Sequence, residues 1–409
     1  MAERSLSTAS DTQLTFDGEP EERLKKEPQQ GVIGGVLDTI WRLGACAIAG
    51  ILFGIFMEKG RVFEPKHIRY QMVFTNFIML KMFLSAVATG QICLGIFYLI
   101  PQLKERFHKT MTAYTDVFAT KGVLTSILGA FTLGVGMTLS GACPGMVLVQ
   151  VGSWTPNSIF TLIGALTGTL LYGLFAPWII RFSRPKKPFQ KPTVHERFNI
   201  PFAALAIPMA VALGVVVFVI EWFRPWNSLL ELSIPNNPDA DIVTVRAWPP
   251  YISGALIGLL QIVIVLVVDD TLGGSSAYVT VVSQWVVSEK LQEKFPYLAR
   301  ARTGIGNWWQ VVYVFGAILG GALSALSSSS YGSTQGVSVV TAFFGGFLML
   351  IGARFAAGCT SGHGLSGMSL LAWLSFLAVP SMFAGGIVTA FSMQATGALY
   401  EFVNCTACA

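Results

Sequence analysis

Charge is what this chain has least of. Only 12% of its 409 residues are Asp, Glu, Lys or Arg, against 53% hydrophobic, whereas soluble globular chains carry about 25% charged residues. With a mean hydropathy of +0.60, that scarcity excludes an intrinsically disordered chain, which needs the opposite balance. Cysteine is sparse too: six residues without framework spacing, which excludes a disulfide scaffold and leaves free thiols as the expectation. The lone C-terminal CxxC, Cys405 and Cys408, has no second CxxC beside it, so redox, metal and lipidation readings are all weak. The net charge of +5 forms no basic patch, because Lys and Arg lie in loops between apolar runs; nucleic acid is not an expected partner. No cofactor and no metal site are expected. The first thirty residues hold no apolar h-region, so no cleavable signal peptide is expected, only a solvated tail.

What the chain does have is long apolar runs. A bilayer span needs about 20 mostly apolar residues. Such runs lie near 41–57, 72–100, 122–141, 157–180, 201–223, 250–268, 307–326, 338–357 and 374–396, about nine in all. Shorter pieces near 145–153 and 365–373, with a third near 278–288, cannot cross and read as re-entrant or interfacial. The fold class is therefore an all-α polytopic membrane protein in a lipid bilayer. Lys and Arg crowd the N-terminal tail, the loop at 104–121, the loop at 181–197 and the segment 290–302. By the positive-inside rule these are cytoplasmic, as is the N-terminus. Lys59, Arg61, Lys66, Arg69, Arg224 and Arg246 then fall in outer loops. A cell or plasma membrane is the expected location.

An internal repeat organises the spans. Gly136–Cys143 reads GMTLSGAC and Gly352–Cys359 reads GARFAAGC. Each is a Gly followed seven positions on by a Cys at the end of a span, and each leads into a Gly-rich break. Upstream, the GxxxG pair Gly50 and Gly54 answers to Gly254 and Gly258, both suited to close helix approach. Five spans separate equivalent starts, so the second half enters from the opposite face. That is the inverted-repeat plan of many transporters, with the site between the halves. The expected organisation is a tail (1–40), a first repeat (41–180), a basic loop with a linker helix and outer loop (181–249), a second repeat (250–400) and a C-terminal tail (401–409).

Non-helical backbone at membrane depth is tolerated only where it is buried or lines a cavity. The two breaks thus nominate Cys143 with Gly141 and Gly145, and Cys359 with Gly358, Ser361 and His363. A thiol is a weak donor and a polarisable partner for soft sulfur; as small hydrophobes the same thiols merely fill gaps, which is how Cys46 and Cys93 read. His363 either donates to an anion or ties down backbone in a tight loop. Lys81 and Arg354 are charges within apolar runs, costly unless they face a cavity or a partner. Arg354, five residues before Cys359, points away from that thiol unless the helix breaks. Glu58 and the Asp269–Asp270 pair read as interfacial charges or as partners of basic residues, with proton coupling as the remaining alternative.

The segments GMTLSGACPG (136–145) and GARFAAGCTSGHGLSG (352–367), supported by FMEKGRVFEP (56–65) and TLGGSSAYV (271–279), resemble the YeeE/YedE sulfur-transport family. The resemblance covers about residues 40–400. It implies import of thiosulfate through an hourglass of two pseudo-symmetric halves whose cysteines line a narrow pathway, here Cys143 and Cys359. Thiosulfate carriers of that family also have a Cys in the loop after the first span; this chain has EKGRVFEP there. A relay through three thiols cannot be carried over whole, and Ser275 and Ser276, in the corresponding loop of the second half, are the candidate substitute donors. The function expected is transport of thiosulfate or a related small sulfur anion, not enzymatic catalysis. The rival readings are a membrane persulfide relay to a soluble sulfur-carrier protein and a non-transporting scaffold.

Overall fold

A computed structural model describes residues 32–119, 122–183, 192–230 and 241–405. Residues 1–31 of the N-terminal tail, residues 184–191 of the basic stretch near 181–198 and Cys408 lie outside the described residues. Two compact units divide the chain. Of the first, Met1–Trp41, the described part is the opening of the first helix; the second, Arg42–Ala409, holds every other element.

The elements are α1 (Val32–Lys59), α2 (Pro65–Met72), α3 (Ile78–Leu99), α4 (Pro101–Ala119), α5 (Val123–Ser140), α6 (Met146–Gly152), α7 (Ser158–Ser183), α8 (Phe202–Phe223), α9 (Pro250–Val268), α10 (Ser275–Val282), α11 (Ile305–Ser327), α12 (Val339–Ala356), a π-helical segment (Thr360–Gly367) and α13 (Trp373–Ala395). Shorter helical turns fill the connections. Among the described residues, nine of these helices are long and apolar enough to cross a membrane: α1, α3, α5, α7, α8, α9, α11, α12 and α13. They coincide with the nine apolar runs of the sequence, because in hydrocarbon a backbone that bonds only to itself must be helical.

Glycine sets how closely the helices approach. A Cβ at Gly136 on α5 would run into the backbone of Gly345 and Met349 on α12, and one at Gly352 on α12 into that of Gly129 and Leu133 on α5. The two contacts are reciprocal in register: each glycine meets residues seven and three positions before its counterpart. The GxxxG pairs behave alike. Gly50 and Gly54 on α1 abut the Tyr313 and Ala317 carbonyls of α11, whereas Gly254 and Gly258 on α9 abut those of Met82 and Ala86 on α3. The remaining close pairs include α12 with α7, α13 with α5, and the linker helix α8 with α3.

Two elements escape a hydropathy reading. α2 (PKHIRYQM) carries Lys66 and Arg69 and looks like outer loop, yet its Pro65, His67, Ile68, Arg69, Gln71 and Met72 are buried. α4 (PQLKERFHKTMTAYTDVFA) is amphipathic and carries too many charged and polar side chains for a span; it buries Phe107 and Met111 and leaves Lys104 and Glu105 exposed. The short piece expected at 365–373 begins earlier: the irregular segment is Thr360–Gly367, with bulk and polarity spread so evenly over TSGHGLSG that no apolar run marks it. The basic residues near α2 are also not solvated. Arg61 pairs with Glu58 at 3.1 Å and Glu64 at 2.7 Å, and Glu58 accepts from the hydroxyls of Ser324 at 2.7 Å and Ser330 at 2.9 Å. Asp269 pairs with Arg106 at 3.0 Å. The expectation of six free thiols needs one correction. Cys46, Cys93, Cys143 and Cys359 are free, but Cys405 is disulfide-bonded, in a tail pinned by backbone bonds between Val403 and Gly336 of 2.9 and 3.0 Å.

Candidate functional site

The first break begins where α5 ends. Gly141 takes the left-handed conformation, φ +60°, at no steric cost only for glycine, and it packs against Pro65 at the start of α2 so closely that a Cβ would collide. The carbonyls exposed by the break find side-chain donors. Gln150 Nε2 donates to the carbonyls of Gly141 at 2.9 Å and Phe63 at 2.7 Å, and the Tyr278 hydroxyl donates to that of Pro144 at 2.7 Å. Arg69, fully buried, donates to the last carbonyls of α5, Thr138 at 3.2 Å and Leu139 at 2.9 Å, where a cation suits a helix C-terminus. Cys143 sits in this frame with the backbone N–H groups of Gly145 and Met146 directed at its sulfur. Gly145 leaves the Phe53 ring room: a Cβ would lie 3.4 Å from it.

The second break follows α12. Ala357 is left-handed at φ +65°, and Gly358 donates its N–H to the Ala353 carbonyl at 3.0 Å. His363 ties the segment down: Nε2 donates to the Ala356 carbonyl at 2.9 Å and Nδ1 pairs with the Ser375 hydroxyl at 3.1 Å. A Cβ at Gly358 would press on the imidazole at 2.8 Å. The Tyr114 hydroxyl, from α4, donates to the Gly362 carbonyl at 2.8 Å and lies 3.1 Å from Ser375. Because α12 stops before Cys359, Arg354 and that thiol come within electrostatic reach. The Arg354 guanidinium donates to Ser275, Ser275 faces the Cys359 sulfur, and the Ser361 hydroxyl lies 3.1 Å from it.

The breaks meet. Thr360, directly after Cys359, comes near the Cys143 thiol, and the two thiols lie within reach of each other. Tyr278 is near both. Of the residues nominated by sequence, the structure gathers Cys143, Cys359, Ser361, Ser275 and Arg354, with Gly141, Gly145 and Gly358 shaping the backbone around them. It places His363 as the lock of the second break, fully buried and bonded at both ring nitrogens. Two lie elsewhere. Lys81 pairs with Glu221 of α8 at 2.6 Å and with the Arg224 carbonyl, and Ser276 is exposed on α10. Thr360, Tyr278 and Gln150 escaped the sequence reading although the first two stand inside quoted motifs. Tyr114 gave no signal, since nothing local links it to the break. Among the described residues no cluster of His, Cys, Asp or Glu suits a metal ion.

Among the described residues, nine apolar helices with two buried interruptions that bring thiols, hydroxyls and one guanidinium together define a multi-pass membrane protein with a polar cluster inside its apolar body. A family model described as sulphur transport matches residues 59–388, so the chain belongs to that family. Among similar proteins, a thiosulfate transporter, TsuA, of Escherichia coli (strain K12) is 22% identical over 351 residues, 83% of this chain and 91% of its own. TsuA of Spirochaeta thermophila, also named a thiosulfate transporter, is 22% identical over 345 residues, 81% of this chain and 93% of its own. A probable transporter of Xylella fastidiosa (strain 9a5c) is 28% identical over 148 residues, 36% of this chain but 94% of its own.

Proposed function

We propose that the protein carries thiosulfate or a closely related small sulfur anion across the cell membrane, through a pathway lined by Cys143 and Cys359 between two inverted repeats. The carrying observation is the meeting of the two intramembrane breaks, which sets Thr360 against Cys143 and surrounds Cys359 with Ser361, Ser275 and Arg354. Thiols and hydroxyls are uncharged donors that hold an anion weakly enough to let it leave. Arg354 offsets its charge, already sharing its own field with Ser275. The substrate named for the two long relatives is a small sulfur anion, of the kind that uncharged S–H and O–H donors hold. No bond-making step is assigned to either thiol.

Reciprocal packing supports the repeat. Gly136 and Gly352 exchange contacts at one register, and the two GxxxG pairs meet their partner helices in the same way. With five spans between equivalent starts, two-fold related halves run in opposite directions. We assign residues 41–180 and 250–400 to the halves and 181–249 to the connection, with the N-terminus cytoplasmic. A relative that matches 148 residues over nearly its whole length is the size of one such half.

The test is uptake of labelled thiosulfate into proteoliposomes by wild type and by Cys143→Ala, Cys359→Ala and the double variant. Loss of uptake in the double variant, with folding intact, is the expected result. Uptake that survives both substitutions sinks the thiol-lined pathway. A folded wild type that takes up none, while Cys359 reacts with alkylating agents, turns the reading to a persulfide relay with a soluble sulfur carrier.

A further inference from the structure

Beside the meeting point of the breaks lies a small void that the transport reading does not use. Its walls come from five elements: Met72 of α2, Met79 and Phe83 of α3, Met137 of α5, Met382 of α13, and Thr360 of the π-helical segment. The surface that faces the void is apolar, and there is room in it for about one water-sized atom. A void without polar partners stays dry. Four of the chain's 13 methionines converge here. Phe83 leans edge-on to Phe383 at 6.3 Å between centroids and closes the wall. Thr360 stands on the wall of the void and near the Cys143 thiol, and its buried hydroxyl has no hydrogen-bond partner. A methionine-rich gap can be plain packing, since Met fills irregular cores; packing does not account for a buried, unpartnered hydroxyl on a residue of its wall.

We infer that this void is the seat of the anion's terminal sulfur and is the specificity-determining subsite, an inference that rests on the sulfur-anion reading above. Thiosulfate and sulfate are both tetrahedral dianions; they differ at one vertex, a large, polarisable, weakly hydrated sulfur in place of an oxygen. With its three oxygens turned to the Thr360 and Ser361 hydroxyls and the two thiols, the fourth vertex enters the methionine void. Sulfur there gains dispersion contacts with thioethers and a ring. An oxygen there loses its hydration and meets no donor. The void thus selects against sulfate by withholding hydrogen bonds rather than by size.

The test uses the full chain in proteoliposomes, with labelled thiosulfate taken up against unlabelled sulfate. Met137→Gln and Met382→Gln each offer an amide to the fourth vertex, and sulfate is expected to compete at about tenfold lower concentration than in wild type. Met137→Leu, similar in volume and equally without a donor, keeps sulfate excluded. Val379→Phe, which fills the void from its α13 wall, is expected to lose thiosulfate uptake. Thermal stabilisation of the detergent-solubilised protein by thiosulfate, set against sulfate, gives a second readout that needs no transport. If folded glutamine variants exclude sulfate as wild type does, or if Val379→Phe transports and is stabilised normally, the inference is overturned while the cysteine pathway stands. A wild type that neither transports thiosulfate nor is stabilised by it overturns both.

Discussion

At the first break the left-handed residue is Gly141, wedged against Pro65; at the second it is Ala357, with a full side chain at φ +65°. The first break returns at once to a seven-residue α-helix held by Gln150 and Tyr278. The second takes a π-helical path, an uncommon geometry that clusters at functional sites, and is tied by His363 and Tyr114. Their cysteines differ accordingly. Cys143 has backbone N–H groups near it, whereas Cys359 has two serines and the guanidinium of Arg354 near it. Two breaks that start from similar octapeptides are therefore built differently: the first around a glycine turn packed on Pro65, the second around polar side chains near its cysteine.

The sharpest way to break that comparison is Gly141→Ala. Left-handed strain and a collision with Pro65 together cost about 3 kcal/mol, so a large fall in melting temperature is expected; an unchanged melting curve would show that the first break does not rest on its glycine turn. Next in size is the contrast between the thiols. Cys359→Ala is expected to lower thiosulfate uptake at least tenfold and Cys143→Ala only several-fold, a difference of about 1 kcal/mol in binding; equal losses would make the two breaks equivalent partners. Gly358→Ala pushes on the His363 ring and loosens its bond to the Ala356 carbonyl, worth about 1 kcal/mol. Its expected signature is reduced uptake with nearly normal melting, and Tyr114→Phe should share it in weaker form. Smallest is Ala357→Gly, where relief of left-handed strain and the extra freedom of unfolded glycine nearly cancel, leaving a change within about 0.5 kcal/mol. A loss as large as that of Gly141→Ala would mean that the Ala357 methyl itself packs the site.

Lys81 marks the limit of reading charge from sequence. A lysine in an apolar run points to a pathway or a partner, and nothing in its own stretch of chain tells which. Its partner, Glu221, stands 140 positions away on α8. Arg354 shows the converse: five residues from Cys359 on an unbroken helix it faces elsewhere, and only the end of α12 at Ala356 brings the two within reach. The spans, by contrast, were legible to within a few residues at most of their ends, as were Gly136 and Gly352 and the two GxxxG pairs, since hydropathy and small-residue spacing are local properties. α2 and α4 were not legible, because one hides polar side chains in protein rather than in water and the other is too polar to resemble a span.

By itself, then, the amino-acid sequence determined that this chain crosses a membrane, about how often and where, and which two cysteines end paired helices, because lipid allows a backbone few choices and those choices are set run by run. Only the tertiary structure decided which charges are partners, which histidine is a lock, and that four methionines from distant helices line a small void together with Thr360. Such contacts join residues tens to hundreds of positions apart, and they depend on which helix faces which, a matter of glycine register and packing between elements that no single stretch of chain contains.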